Sequence, residues 1–269
     1  HFCLMNPLSK ASVWRLEQGV ITPTQDVLIQ ETPVSLVYNG VSHIVLMATP
    51  ADLEALALGF SLSEGIIKRP SQLYDVQLYE TEQGIIVDME IATAAFVELK
   101  HRRRNLQGRT GCGLCGIENL AAVKPEIAQI SHHVDLTAEA IKKALIQFDE
   151  MQPLRESTGS VHAAAWATQS GEIKLSFEDV GRHNALDKLI GYAMKHQLPW
   201  QEGFVVVSSR ASYEMVLKSA LSGISCLVAV SAPTQFAVNL AKEAGLTLIG
   251  FARPQRQVIY HGAEHVFTE

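Results

Sequence analysis

Cys112 and Cys115 lie three residues apart in the segment GRTGCGLCG, residues 108–116. Four of these nine residues are glycine, and glycine loses more conformational freedom on ordering than any other residue, so a helix interior or a packed strand is not expected here. Two thiols at this spacing occur in zinc half-sites and in redox-active pairs. A third possibility is a carrier of reactive sulfur, and a fourth is simply two small thiols in a tight turn.

A zinc site is the first alternative for this segment. A closed structural site needs four ligands, and the chain has no second Cys-x-x-Cys motif. Cys3 and Cys226 are not spaced as a pair, so His101, His132 or His133 would have to complete the site. We therefore expect no tightly bound zinc and no other metal site.

The remaining chemistry of a thiol pair is redox exchange or sulfur transfer. A thioredoxin-like pair is expected at a helix N-terminus directly after a strand, whereas this segment follows a predicted basic helix over 94–107. A sulfur carrier needs an accessible, partly ionised thiol, and nearby cations lower the pKa of a thiol. Five cations lie close in sequence to the cysteines: Lys100, Arg102, Arg103, Arg104 and Arg109. The same basic run is also typical of a solvated helix face, but together with the cysteines and a mobile glycine-rich loop it favours sulfur carriage.

The composition limits the classes of function. The 269 residues are 47% hydrophobic and carry a formal net charge of −6, which argues against a general binder of nucleic acid or of a membrane surface. Four scattered cysteines are too few for a disulfide framework. No apolar run approaches the roughly 20 residues needed to cross a bilayer, and no signal-peptide pattern is visible. We expect a cytoplasmic protein.

The hydrophobic pattern predicts two different halves. The first half has a hairpin over 33–48 that turns at Asn39-Gly40, a helix up to Gly65 with Thr49 as its cap and Asp52 in a capping box, and a second hairpin over 73–92. After a helix over 138–151, strands and helices alternate, which predicts an α/β sheet that is largely parallel in its later part. The predicted strands are 161–167, 172–177, 204–208, 225–230, 246–252 and 257–260, and the predicted helices are 182–196, 211–222 and 234–244. Residues 1–30 match nothing specific.

Polar residues follow several of these strands, in SVHAAAW, FEDVGRHNALDK, SSRASYEM and GFARPQR. Ligands of open α/β sheets bind outside the carboxyl ends of the strands, so we expect these side chains to converge. The candidates are Arg182, His183, Ser208, Ser209, Arg210 and Arg256. Arginines with hydroxyls suit a ligand that carries phosphate, and Glu178, Asp179 and Glu214 suit the N–H edge of a base such as guanine.

Structural alternatives remain open for single members of this set. Asp179 is a candidate cap for the helix that follows it. Arg182 is a candidate for an ion pair with Asp179 or Asp187, and His162 is a candidate for a histidine whose hydrogen bonds are satisfied within the core. A zinc deaminase also binds a base in an α/β fold, but Ala164 stands where its His-x-Glu signature needs the glutamate, and the Cys-x-x-Cys lies upstream of His162.

From about residue 31 to the end, the chain resembles the FdhD-type formate dehydrogenase accessory sulfurtransferases. The resemblance lies in TPVSLVYNGVSH, LALGFSLSEGII, RRRNLQGRTGCGLCG, HAAAW, EDVGRHNALDK, SSRASYEMV and GFARPQR. It implies transfer of sulfur from a cysteine desulfurase to the molybdenum, or tungsten, bis(molybdopterin guanine dinucleotide) cofactor before that cofactor enters formate dehydrogenase.

The resemblance also assigns roles to residues. It makes Cys112 the persulfide-forming cysteine and Cys115 its partner. It places the cofactor-binding segment at Phe251, Ala252, Arg253, Pro254, Gln255 and Arg256, to which we add His162, Arg182, His183, Ser208 and Arg210 from the strand ends. Gln255 stands where a glycine would ease close approach of the backbone, so contacts there are expected to differ in detail.

The fold that the resemblance implies is an α/β protein. Its C-terminal part, residues 136–269, would be a cytidine-deaminase-like three-layer α/β sheet that binds the cofactor. A smaller α+β domain, residues 31–135, would end in the mobile cysteine loop, after an unassigned segment 1–30. Family members tend to be homodimers, and neither nucleic acid nor a membrane is expected as a partner. The alternatives are a chaperone that delivers the cofactor without carrying sulfur, and a thiol-disulfide oxidoreductase.

Overall fold

The computed structural model describes residues 6–107 and 127–268, with the backbone alone for 103–107. The predictions for the glycine-rich segment, with Cys112 and Cys115, and for Cys3 lie outside the described residues. None of the helices within the described ranges is both long and apolar enough to cross a membrane.

The chain begins with an antiparallel hairpin that the sequence analysis left unassigned. Strand β1 (Leu8–Glu17) pairs along its whole length with β2 (Val20–Ile29). The turn between them has positive φ at Gln18 (49°) and Gly19 (82°), as the tight turns of twisted hairpins require. Glutamine is not among the usual residues of such turns, which is why the pattern gave no prediction here.

A four-stranded sheet follows, in the order β4-β3-β6-β5. Its strands are β3 (Thr32–Tyr38), β4 (Val41–Ala48), β5 (Leu73–Thr81) and β6 (Gly84–Ile91). Both predicted hairpins are confirmed, and the first turns at Asn39 and Gly40, which have φ of 47° and 76°. The two hairpins join through a parallel pairing of β3 with β6.

Helix α1 (Leu53–Ser63) begins differently from the prediction. Asp52 precedes it in the left-handed region (φ 54°) and makes no side-chain capping bond, so the predicted capping box is wrong. Thr49 instead accepts the Val180 N–H on its side chain and donates its own N–H to Asp179, at 3.1 Å each. Tertiary hydrogen bonds have replaced the local cap. The predicted basic helix is confirmed as α2 (Thr93–Gln107).

The second half forms a six-stranded sheet in the order β13-β12-β11-β10-β8-β9. The strands are β8 (His162–Thr168), β9 (Ile173–Asp179), β10 (Gly203–Val207), β11 (Cys226–Ala229), β12 (Thr247–Arg253) and β13 (Arg256–His261). Pairing is parallel for β10, β11 and β12, as predicted for the later part, and antiparallel at both sides. Two short strands, β7 (Leu136–Thr137) and β14 (Val266–Phe267), pair separately.

Helices cover both faces of this sheet. They are α3 (Ala138–Glu150), α4 (Pro153–Thr158), α5 (Arg182–Lys195), α6 (Tyr213–Leu221) and α7 (Gln235–Ala244). Thr137 caps α3 by accepting the Ala140 N–H, as the sequence predicted. Helix α3 packs into the core on one face, and α5, α6 and α7 pack on the other. The arrangement is a mixed α/β fold in layers.

The two halves share one hydrophobic core through a close helix crossing. Gly59 of α1 and Gly191 of α5 lie where the helices meet, and a Cβ on Gly191 would stand 2.0 Å from the carbonyl oxygen of Ala55. The buried residues of the four-stranded sheet, α1 and one face of the six-stranded sheet form a continuous cluster. The crossing therefore fixes α5, and with it the residues at the N-terminus of α5, relative to the first half.

Candidate functional site

The polar segments predicted from the sequence lie along one edge of the six-stranded sheet. His162 opens β8 and pairs with Asp179 at the end of β9, while Ser208 follows β10 and Arg253 closes β12. Neighbouring strands lie about 4.8 Å apart, so the three intervals from β8 to β12 span about 14 Å. The edge is long enough for an extended ligand.

A cationic group lies at the β8–β9 side of this edge. Burial lowers the pKa of His162, and the nearby Arg182 and Arg155 guanidinium groups lower the pKa further. The Nε atom of Arg182 is buried and has no hydrogen-bond partner among the described residues. An arginine N–H without a partner favours an anion, and carboxylates and phosphates are the usual ones.

Asp179 has a structural role. Its Oδ2 lies 2.6 Å from Lys188 Nζ, and both side chains are fully buried. Its Oδ1 accepts the Gly181 N–H and the Asn184 side-chain N–H at 2.9 Å each. Asp179 thus binds the N–H of the residue just before α5, close to the predicted capping role, and its acceptors are committed within the protein. The carboxylate is not placed to read a base, and Arg182 pairs neither with it nor with Asp187.

Glu178 is also committed within the protein. Its two carboxylate oxygens accept the backbone N–H groups of Leu154 and Arg155, at 2.9 and 2.8 Å, at the start of α4. This contact fixes the position of Arg155, which the sequence reasoning missed. Pro153 at the first position of the helix is the local signal that could have indicated a helix start there.

The segment after β10 contributes less than predicted. Ser208 accepts the Ala163 N–H on its Oγ at 2.9 Å and so ties β8 to the end of β10. Ser209 is buried and donates to the Arg210 carbonyl. The Arg210 side chain is exposed at the edge.

The segment 251–256 comprises the end of β12, the turn at Pro254 and Gln255, and the start of β13. Phe251 has a positive φ of 47° and an exposed ring, and Ala252 is buried. Arg253 Nη1 donates to the carbonyl oxygens of Val230 and Ala252, at 2.6 and 2.9 Å, so its guanidinium braces the turn. Gln255 and Arg256 are exposed at its tip.

A groove of about 420 Å³ links this turn with α4. Arg155, Arg253 and Pro254 line it, opposite the end of α3. The groove and the cationic group at His162 share Arg155, because that guanidinium acts on His162 as well. The structure therefore brings the segment 251–256, Arg155, His162 and Arg182 to one edge of the sheet.

His183 lies apart from this groove. It lines a larger cavity, of about 660 Å³, between β4, α1, α5 and α6, and its Nε2 is 2.8 Å from Glu214 Oε2. The sequence reasoning did not select Ser63, Glu64 and Lys218, which line the same cavity. The polar residues Ser63 and Glu64, at the end of the predicted helix, were the available signal.

The described residues offer no reactive thiol. Cys226 is buried in β11, and burial raises the pKa of its thiol to about 12, so it stays protonated at neutral pH. Across the described ranges, no group of three or more His, Cys, Asp or Glu side chains is arranged to hold a metal ion. Any thiolate chemistry therefore falls to cysteines outside the described residues.

Comparison with known proteins identifies relatives over most of the chain. The family model of the FdhD/NarQ family matches residues 29–267. The chain is 51% identical over 249 residues to the Sulfur carrier protein FdhD of Cupriavidus necator, covering 93% of this chain and 86% of that protein. It is 48% identical over 236 residues to the Sulfur carrier protein FdhD of Acinetobacter baylyi, covering 87% and 86%.

A solved structure shows the same fold. The crystal structure of a protein described as a formate dehydrogenase accessory protein from Desulfotalea psychrophila superposes with a TM-score of 0.77 at 22% identity, covering 97% of this chain and 100% of that one. Fold, matched length and sequence identity agree: the chain belongs to the FdhD/NarQ family.

Proposed function

We propose that the protein is a sulfur carrier for formate dehydrogenase maturation. In this proposal Cys112 receives persulfide sulfur from a cysteine desulfurase and passes it to the molybdenum bis(molybdopterin guanine dinucleotide) cofactor. The observation that carries the proposal is the 51% identity, over 93% of the chain, to a protein named as a sulfur carrier. Cys112 and Cys115 supply a thiol pair for the chemistry.

The transfer needs no outside oxidant. The Cys112 thiolate attacks the terminal sulfur of the donor persulfide, the donor S–S bond breaks, and the donor thiolate leaves and takes up a proton. The product is a persulfide on Cys112. Attack of the Cys115 thiolate on the Cys112 sulfur would then release the outer sulfur as sulfide to the metal and leave a Cys112–Cys115 disulfide. The other roles open to Cys115 are supply of a proton and relay of the sulfur.

The sheet edge supplies the acceptor site in this proposal. The acceptor carries phosphates, and Arg182 offers a buried N–H without a partner in the described part of the chain. Arg155, Arg253 and Pro254 line the adjoining groove, and Arg210 is exposed on the same edge. The cations fit the phosphates, while Ser208 ties β8 to the end of β10 and Arg253 braces the end of β12.

The proposal includes the assembly and the domains inferred from the resemblance. Residues 136–269 would be a cytidine-deaminase-like cofactor-binding domain, and residues 31–135 a smaller domain that ends in the cysteine loop. The protein would act as a homodimer in the cytoplasm, with a formate dehydrogenase apoenzyme as its client.

A cellular test separates the carrier from a cofactor chaperone. A bacterial strain that lacks its own relative of this protein is complemented with the wild-type chain or with Cys112→Ser, and formate dehydrogenase activity is measured. The carrier predicts activity with wild type and loss with the variant at equal protein level. Full activity with Cys112→Ser would favour the chaperone. Separate measurements on the purified protein address the oxidoreductase: turnover of dithiol substrates without guanine nucleotide binding would favour it.

A further inference from the structure

The larger cavity beside α5 has the size and the lining expected of a binding site for a flat ring. Its volume of about 660 Å³ lies within the range of small-molecule sites, and a lone ammonium group would leave most of it empty. The faces of a ring need apolar surface, and its edge needs polar groups. The apolar side chains come from β4, α1 and α6: Ile44, Leu46, Phe60, Leu217 and Leu221.

The floor of the cavity is a fixed network of ion pairs and hydrogen bonds. Lys218 Nζ lies 2.8 Å from Ser63 Oγ, 2.8 Å from Glu64 Oε1 and 3.0 Å from Asp187 Oδ2. Ser63 donates to Asp187 at 2.6 Å. Lys218 and Asp187 are both buried, and the contacts they make are to one another and to the two residues beside them. This floor therefore holds the helices in place and leaves ligand binding to other groups.

Two carboxylate oxygens of the residues that line the cavity remain available to a ligand. Lys218 binds Glu64 through Oε1, and His183 Nε2 lies 2.8 Å from Oε2 of Glu214. The second oxygen of each carboxylate, Glu64 Oε2 and Glu214 Oε1, has no hydrogen-bond partner among the described residues. An ionised carboxylate only accepts hydrogen bonds, so these two oxygens suit a ligand edge made of N–H donors.

The charges of the cavity also favour a donor edge. Among the residues that line it, Glu64, Asp187 and Glu214 carry three formal negative charges against one positive charge on Lys218. Burial lowers the pKa of His183, which favours the neutral imidazole. A phosphate group is therefore disfavoured inside the cavity, and a neutral ring with N–H groups is favoured.

Arg182 links this cavity to the phosphate site of the proposed function. Arg182 and His183 are the first two residues of α5, and His183 lines the cavity. Burial lowers the pKa of both His162 and His183, and the Arg182 guanidinium lowers both further, so this guanidinium lies near the sheet edge and near the cavity. A ring whose phosphate binds Arg182 can therefore enter the cavity.

We propose that the cavity binds the 2-aminopyrimidin-4-one edge of a planar heteroaromatic ring, with Glu64 and Glu214 accepting its N–H groups. The exocyclic amino group and the neighbouring ring N–H supply the donors for the two free oxygens. The inference rests on the proposed function, because the sulfur acceptor in that function contains two rings with this edge, the pterin and the guanine. The phosphates that join them stay outside the cavity, at Arg182.

The first test compares ligands on the wild-type full chain at pH 7 and fixed ionic strength. Binding of pterin and lumazine is followed by fluorescence anisotropy, and binding of guanosine and inosine by titration calorimetry. Lumazine has a carbonyl where pterin has the amino group, and inosine lacks the amino group of guanosine. A hydrogen bond to a charged group changes affinity by about 10- to 100-fold, so the ring that enters the cavity should bind that much more tightly than its analogue.

The second test replaces the acceptors. Glu214→Gln and Glu64→Gln should each weaken binding of that ring about 10-fold or more, and its advantage over the analogue should shrink. Glu54→Gln, in α1 but paired with Lys195 outside the cavity, is the matched control and should bind as wild type does. Glu214 is largely exposed, so its variant keeps the test valid if loss of the Glu64–Lys218 contact unfolds the other variant.

The two ligand pairs distinguish the two rings. A loss confined to pterin assigns the cavity to the pterin, a loss confined to guanosine assigns it to the guanine, and a loss for both supports a site that accepts either. No advantage of either ring over its analogue, or unchanged affinities in both variants, would overturn the inference. Sulfur loading of Cys112 without ring binding would overturn this inference alone, whereas ring binding that depends on Glu214 without sulfur loading would contradict only the carrier function.

Discussion

Arg182 provides the sharpest test of the acceptor site. Its buried Nε has no partner in the described structure, so Arg182→Gln removes a donor that the free protein does not use. The free energy of unfolding should therefore stay within about 0.5 kcal/mol of wild type. A hydrogen bond to a charged group contributes about 1.5–3 kcal/mol, which at 1.4 kcal/mol per tenfold is a loss of about 10- to 100-fold in affinity for GDP.

Titration calorimetry at fixed ionic strength measures this loss. GDP and guanosine are compared for wild type, Arg182→Gln and the exposed control Arg15→Gln. The loss should be confined to GDP, because guanosine has no phosphate, and should be absent from the control. An equal loss for both ligands, or no loss for GDP, would refute the placement of phosphate at Arg182.

Three further predictions concern the packing and charges that hold the site. Gly191→Ala should lower the free energy of unfolding in urea by about 1–3 kcal/mol or more, because its Cβ would stand 2.0 Å from Ala55 O; an unchanged midpoint would contradict the close crossing. Lys218→Met should lower the free energy of unfolding by about 3–5 kcal/mol, because it leaves Asp187 buried without its ion-pair partner. The double variant Lys218→Met/Asp187→Leu should recover much of that loss, whereas additive losses would argue against the ion pair. Burial and nearby arginines lower the pKa of His162 in the folded protein, so on acidification the unfolded chain binds a proton before the folded protein does. The free energy of unfolding should therefore fall as the pH drops below about 6.5, and His162→Gln should lose less stability on acidification. Identical curves of stability against pH for wild type and His162→Gln would contradict this.

Periodicity and turn chemistry predicted most elements, because local rules decide them. The Asn39-Gly40 turn and the Thr137 cap follow from the residues themselves. The start of α1 did not, because Thr49 bonds to Asp179 and Val180, about 130 residues away, instead of to its own helix. A local pattern cannot show a competing partner in a distant segment.

The sequence predicted that the candidate site lies at one edge of the six-stranded sheet, but not the role of each side chain there. Strand-end polar residues indicated where Arg182 and Arg256 would lie, because parallel strands end together. The sequence could not separate ligand-facing carboxylates from structural ones: Glu178 is bound to two N–H groups of α4, whereas Glu214 lines a cavity. Only the packing of α1 against α5 and α6 places Glu64, His183 and Lys218 together.

The most direct test of the carrier function is intact-protein mass spectrometry. Wild type and Cys112→Ser are incubated with a cysteine desulfurase and cysteine, and their masses are recorded before and after reductant. The proposal predicts a gain of one sulfur atom on wild type that reductant removes and that Cys112→Ser lacks. A fully loaded Cys112→Ser, or an unloaded wild type that still binds GDP, would contradict sulfur carriage on Cys112.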